Sequence, residues 1–144
     1  MTRPWYDFIG AGLRLLREDL GLTGPAICRQ RGMASITGQA NYESSYKRTQ
    51  FGRVWFDGRK ARRDGHLDQR REVKLATLND ITDAMSALVQ RPVRVEDVME
   101  LARAAHAEHE EAVAAACLAT GLGRAEWLAQ VQEGKWLSPT SRTS

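Results

Sequence analysis

Apolar residues recur at steps of three and four positions through most of this chain, and that spacing constrains its fold more than any other feature. The first stripe predicts an amphipathic helix over residues 5–19 that stops near Gly21, and it consists of Trp5, Phe8, Ile9, Leu13, Leu16 and Leu20. The same reasoning predicts further helices over residues 23–31, 35–47, 77–89, 94–119 and 124–133. The chain is therefore expected to be mainly α-helical.

Three of these helices follow one another closely at the start of the chain. Thr23 suits the N-cap of the second helix, and Pro25 stands in its first turn, where a missing N–H costs nothing. Gly32 turns the chain, and Ser35 suits the cap of the third helix, although Gly38 inside that helix costs up to about 1 kcal/mol of propensity. Three short helices with a glycine turn between the last two are typical of a helix-turn-helix.

Residues 51–64 have a different pattern. The β-forming residues Val54, Trp55 and Phe56 precede Asp57-Gly58, a dipeptide suited to a tight hairpin turn. We expect a short β-hairpin inserted at about residues 51–64, with Trp55 and Phe56 anchoring it on the core. Residues 65–74 are polar without a clear period and are interpreted as a linker or a frayed helix.

The second half of the chain is predicted to be helical and acidic. Residues 94–119 are rich in alanine, lack Gly and Pro, and carry acids in the first turn, which favours one long helix. The predicted organisation is a helix-turn-helix domain over residues 1–100, a helical extension over 101–137 and a disordered tail over 138–144. Because alanines allow helices to approach closely, we expect the long acidic helix and the last helix to form the seam of a homodimer.

Charge is distributed unevenly along the sequence. Residues 47–74 carry ten Lys or Arg against four Asp or Glu, whereas residues 95–119 carry one against six. A concentrated basic segment favours a polyanionic partner, because each neutralised phosphate releases condensed counterions. The acidic helix would be repelled by the same polyanion.

Two stretches of sequence resemble a known family. Residues 13–32, LRLLREDLGLTGPAICRQRG, look like the opening of a lambda-repressor-like (Xre/Cro) domain, and Tyr42-Glu43 resembles the aromatic-Glu pair near the end of its recognition helix. Residues 76–101 are similar to the last two helices of that family, with TLNDITDAM, RPV and VEDVM as the similar motifs. The resemblance implies a compact five-helix domain that places its third helix in the major groove of DNA, commonly as a dimer.

The resemblance also implies a set of contact residues. Amide and hydroxyl side chains of the third helix would meet base edges, and these are Ser35, Thr37, Gln39 and Asn41. Basic residues would hold phosphates, namely Arg29, Lys47 and Arg48, with the hairpin residues Arg53, Arg59, Lys60, Arg62 and Arg63 acting as a wing. The alternative is that all of these are ordinary solvated surface residues.

A second resemblance lies at the other end of the chain. Residues 120–136, TGLGRAEWLAQVQEGKW, look like the helix-turn-helix of AlpA and excisionase-type regulators. That resemblance implies a recognition helix after the Thr-Gly-Leu turn. The competing interpretation is a packed terminal helix anchored by Trp127, Leu128 and Val131.

The sequence offers little to catalysis or metal binding. His106 and His109 stand three apart beside Glu110, which can place two ligands on one helix face, but no third ligand is evident and His66 is isolated. No phosphate-binding glycine loop or nucleophile motif occurs. We therefore expect no catalytic residue, no metal, no cofactor and no enzyme activity.

The predicted function is sequence-specific binding of double-stranded DNA in transcriptional control of a prokaryotic, phage or plasmid locus, as a repressor or an activator. No apolar stretch approaches the roughly 20 residues of a membrane span, and Asp7 interrupts any signal sequence, so the cytoplasm is the expected location. One alternative is a protein-interaction module, such as a phage-type inhibitor or adaptor that uses its acidic helix. Another is an RNA-binding component of a ribonucleoprotein, with aromatic residues available for base stacking.

Overall fold

The computed structural model describes residues 5–35, 38–56 and 73–138. Five α-helices occur in these ranges: α1 (Ile9–Asp19), α2 (Gly24–Gln30), α3 (Leu75–Val89), α4 (Val95–Thr120) and α5 (Arg124–Gln132). Two 3-10 turns, Trp5–Phe8 and Gly38–Asn41, and two strands, β1 (Ser45–Thr49) and β2 (Gly52–Phe56), complete the described elements. The predicted fold class, mainly helical with a small hairpin, is confirmed. None of the described helices combines the length and the apolar character that crossing a bilayer requires.

Helix α1 crosses α4 at close range, and glycine makes this approach possible. A Cβ atom added at Gly12 would overlap the carbonyl oxygen of Val98 and lie 3.1 Å from the Cβ of Ala102. Leu13 and Leu16, one turn apart, then reach the core beside this contact. The apolar stripe predicted for α1 is therefore its buried face.

Helix α4 is the spine of the fold. Its 26 residues correspond to a length of about 39 Å, and three apolar clusters follow one another along it. The first joins α1, α2 and α3, the second joins the N-terminal turn to the hairpin, and the third joins the hairpin to α5. Their most buried members include Leu13, Ile27, Ile81, Met85 and Val98, then Phe8, Trp55 and Ala102, then Val54, Ala112, Trp127 and Val131.

The prediction of a third helix over residues 35–47 is wrong. Between residues 38 and 47 the chain forms the 3-10 turn Gly38–Asn41 and then enters β1, while residues 36–37 lie outside the described part. Tyr46 and Arg48 lie opposite Trp55 and Arg53 in an antiparallel ladder. Pairing with β2 and the burial of Trp55 favour the extended backbone over the weak local helix pattern.

The described hairpin joins β2 to the strand before it. Strand β2 pairs with the preceding β1 through a turn at Gln50 and Phe51. The turn predicted at Asp57-Gly58, the rest of the predicted hairpin to residue 64 and residues 65–72 lie outside the described residues. The Thr49 hydroxyl stabilises this turn, since it accepts the Phe51 N–H (3.1 Å) and donates to the Gly52 carbonyl (2.7 Å). Gly52 has a φ of +135°, which an L side chain rarely adopts.

Three predicted boundaries also change. The division at residue 100 falls inside the continuous helix α4, whose second half packs on the hairpin. Helix α3 begins at Leu75, two residues before its predicted start at residue 77. Ser138, the first residue of the predicted tail, donates its N–H to the Arg48 carbonyl (3.0 Å), and the rest of that tail, residues 139–144, lies outside the described part.

Candidate nucleic-acid interface

Helix α2 presents an exposed polar end. The Thr23 hydroxyl caps the helix by accepting the Ala26 N–H (3.2 Å), as predicted, and Ile27 and Cys28 are buried. Arg29 and Gln30 therefore face solvent. The next residue, Arg31, forms an ion pair with Asp80 of α3 at 2.6 Å, which fixes the end of α2 in place.

The residues predicted to meet base edges are not brought together as one helical face. Ser35 is exposed, Thr37 lies outside the described residues, and the side chain of Asn41 is also not described. Gln39 is 1% exposed, and its amide donates to the Glu43 carboxylate at 2.9 Å. Gln39 is therefore part of the interior and cannot read a base edge in this arrangement.

The carboxylate of Glu43 is the centre of a polar network that sequence reasoning did not predict. Nε and Nη2 of Arg17 donate to it at 2.9–3.0 Å, and Nη1 of Arg17 donates to the Leu22 carbonyl at 3.1 Å. The hydrogen bond to Glu43 raises the pKa of the Arg17 guanidinium, against the opposing effect of burial. This network joins α1, the turn before α2 and the start of the hairpin. Of its members, Arg17, Leu22 and Glu43 lie in the stretches that resemble the first family.

Three guanidinium groups surround one aromatic ring on the hairpin. The guanidinium carbons of Arg14, Arg53 and Arg48 lie 4.5, 5.1 and 5.5 Å from the ring centroid of Tyr46. We call these three residues the arginine cluster. Arg48 and Arg53 are direct cross-strand partners, and Arg14 comes from α1. Of the three, Arg48 and Arg53 were predicted from sequence, while Arg14 was not.

Carboxylates hold two members of the arginine cluster in position. Arg14 Nε donates to Glu18 at 3.1 Å, and Arg53 donates to Glu108 of α4 at 2.5 and 3.2 Å. Such pairs orient a guanidinium while leaving part of its fork available to a second anion. The cluster is thus a preorganised group of three guanidinium groups on the hairpin, two of them paired with carboxylates.

Among the other hairpin residues predicted to contact phosphate, only Lys47 lies in the described part of the chain. Lys47 is half-buried and lies on the other face of β1, opposite Val54. The four other hairpin residues named for this role, Arg59, Lys60, Arg62 and Arg63, lie outside the described residues.

The aromatic side chains of the hairpin point into the protein. Trp55 is buried, and the Tyr46 ring packs on it at 4.9 Å between centroids with the two ring planes tilted by 57°. Phe51 packs on Trp127 and Trp136 at 5.9 and 6.3 Å. These rings are therefore occupied in core contacts and are not presented as a stacking platform for unpaired bases.

A buried histidine ties the hairpin to α4. His109 is 1% exposed, its Nδ1 accepts the backbone N–H of Trp55 at 2.9 Å, and its ring lies 5.2 Å from that of Phe8. The His106 ring also lies 5.2 Å from that of Phe8, and its Nε2 approaches Glu110 at 3.7 Å. Both histidines thus pack on Phe8, and in the described part of the chain no three His, Cys, Asp or Glu side chains gather as a metal site.

The C-terminal helix is anchored on the core. Trp127 and Val131 of α5 are fully buried against Ala112, Val113 and Ala116 of α4. Packing by Trp127 and Val131 is therefore confirmed, with Leu128 half-buried beside them. A DNA contact by α5, implied by the second resemblance, stays a prediction.

No family model, curated protein or solved structure matches this chain. Both family resemblances therefore stay predictions, and the functional argument rests on the geometry above.

Proposed function

We propose that this protein binds duplex DNA and regulates transcription at a prokaryotic, phage or plasmid locus. The arginine cluster is the observation that carries the proposal. It gathers positive charge from α1 and both hairpin strands at one surface position, and guanidinium groups bind phosphate oxygens bidentately. Duplex DNA presents such oxygens in a regular array, and neutralising them releases counterions.

The arrangement of aromatic residues favours a duplex over single-stranded RNA. Recognition of unpaired bases uses exposed rings, whereas Trp55 and Phe51 are packed in the core and Tyr46 is covered by the arginine cluster. The described hairpin presents guanidinium groups and no aromatic ring on which a base could stack. Such a surface suits the phosphate backbone of a double helix.

Sequence preference on this proposal comes from the exposed end of α2. Gln30 has an amide that both donates and accepts, and Arg29 can reach guanine or phosphate. The Arg31–Asp80 ion pair and the buried Ile27 and Cys28 hold this end rigidly. A rigid polar end next to a glycine turn is suited to insertion in a groove.

The proposal predicts that reversing one charge of the cluster weakens DNA binding. The Kd of R48E for a duplex from the upstream region of its own gene should rise about tenfold. The slope of log K against log salt should become shallower by about 1, as expected for the loss of one phosphate contact. The measurement is fluorescence anisotropy at several salt concentrations, with random duplex and matched RNA as competitors.

The matched control is R94E, which makes the same charge change at the start of α4. Arg94 is exposed and stands 14 residues before Glu108, about 21 Å along the helix. R94E should bind nearly as the wild type does. Equal losses in both variants would contradict a phosphate site at the hairpin, and tighter binding to RNA than to duplex would contradict the choice of partner.

A further inference from the structure

A groove lies between the end of α1, the turn joining α3 to α4, and the first turns of α4. Its volume is about 620 Å³. The apolar part of its lining consists of Leu16, Leu20, Pro92, Val93, Leu101 and Ala104, and the polar part of Asp19, Arg91, Asp97 and Glu100. The groove is thus an apolar depression with a charged rim, large enough to take a side chain from another molecule.

An exposed leucine stands on the same face of α4. Leu118 is 89% exposed, more than the other large apolar residues described as exposed, Tyr6 and Leu75 at 61%. Ala104, Glu111 and Leu118 are seven residues apart, or about two turns, so they follow one another along one side of the helix. The groove and the leucine are therefore at opposite ends of a single stripe.

The surface between them is built for close approach. Ala107, Ala114 and Ala115 are exposed on this stripe, whereas the alanines at 102, 105, 112 and 116 are buried within the chain. Small side chains let a second helix lie close to the α4 backbone. The alanines of α4 thus form two faces. The inner face packs within the chain, and the outer face is exposed.

We propose that a second copy of this chain docks on the outer face of α4, antiparallel to it, so that Leu118 of each copy enters the groove of the other. A two-fold axis pairs the exposed leucine with the open groove twice in one interface. The paired segment from residue 100 to residue 118 is about 27 Å long. Unlike the predicted seam, this interface does not involve α5.

Charge complementarity supports the same register. In this register Leu118 of one copy lies beside Glu100 of the other, and Glu111 of the first copy lies opposite Ala107 of the second. Ala107 is about one helical turn from the exposed Arg103 of its own chain. Each Glu111 can then reach the second copy's Arg103, and the two-fold axis makes this contact twice. The pairing therefore gives Leu118 an apolar groove and Glu111 a cationic partner.

This inference does not depend on nucleic-acid binding, and its test contains no DNA. In sedimentation velocity over a series of protein concentrations, the wild-type protein should form a dimer and L118E should stay monomeric. The matched control is L75E, which places the same charge at an exposed leucine at the start of α3 and should still dimerise. Because both leucines are exposed, both variants should keep the wild-type Tm at protein concentrations low enough that the wild type is also monomeric.

A charge swap tests the register. R103E and E111R should each weaken the dimer, and R103E/E111R combined should restore it, because the pair is regenerated with its signs exchanged. Arg103 also lies over the Trp5 ring, at 4.4 Å, so its variants are compared at equal folded fraction by circular dichroism. A wild-type protein that is monomeric up to its solubility limit, an L118E variant that dimerises normally, or a double variant no better than the single ones would each overturn the proposal.

Discussion

At the scale of single residues, the carboxylate of Glu43 makes the polar contacts that connect the helices to the hairpin. It is 8% exposed, yet it accepts hydrogen bonds from both Arg17 and Gln39, so its charge is compensated inside the protein. Removing one partner of such a pair leaves the other buried and uncompensated. The network therefore holds the start of the hairpin against α1.

The substitution Glu43→Gln should lower the free energy of unfolding by about 3 kcal/mol, because the Arg17 guanidinium loses its anionic partner. Urea denaturation followed by circular dichroism measures this loss. Glu18→Gln is the control, since it removes an exposed carboxylate from Arg14 on the same helix and should cost no more than about 0.5 kcal/mol. Similar losses in the two variants would show that the Glu43 network is not specially stabilising.

At the scale of elements, an ion pair fastens α5 to α4. Arg124 Nη1 and Nη2 donate to Glu110 at 2.6 and 2.8 Å. Burial acts to raise the pKa of the Glu110 carboxyl, but the bonds from Arg124 and the nearby charges leave it below its ordinary value. A carboxyl with a lowered folded pKa stabilises the protein above its ordinary pKa and loses that contribution as pH falls through the folded value.

Glu110→Gln should therefore destabilise the protein at neutral pH by about 1 kcal/mol and make little difference in acid. The measurement is the difference in free energy of unfolding between wild type and variant, followed from about pH 7 to about pH 3. The difference should shrink as the pH falls. A difference that stays constant would mean that Glu110 acts through packing and not through its charge.

The elements also show what sequence alone can predict. Helices α1 to α5 were all predicted, because the period of their apolar residues and their glycine and proline stops are local signals. The segment 35–47 was mistaken for a helix because its strand depends on pairing with β2, which no local pattern reports. The turn at Gln50 and Phe51 was missed because the Thr49 hydroxyl stabilises it and no Asp-Gly dipeptide marks it in the sequence.

The candidate site was predictable only in part. Arg48 and Arg53 stood out by charge density, a property of the sequence. Arg14 joins them because α1 packs beside the hairpin. Gln39 is buried because its amide donates to the Glu43 carboxylate. Both contacts depend on tertiary structure, which local sequence patterns do not report.

At the scale of the whole molecule, the groove and the arginine cluster lie on different sides of α1. On α1, Leu16 and Asp19 are roughly 140–160° around the helix from Arg14, so the acidic groove and the arginine cluster face different directions. A polyanion drawn to the cluster would be repelled from the groove. On the two proposals, one side of the molecule contacts DNA and the outer face of α4 contacts the second copy.

The most direct test of this account is to map a DNA duplex onto the protein by two-dimensional 15N NMR. If the arginine cluster and the end of α2 bind DNA, backbone resonances of residues 45–53 and of residues 29–32 should shift on adding duplex, while those of Glu96, Glu100 and Glu111 should not. Shifts concentrated on the acidic face of α4, or none at the hairpin, would contradict a DNA-binding function for the arginine cluster.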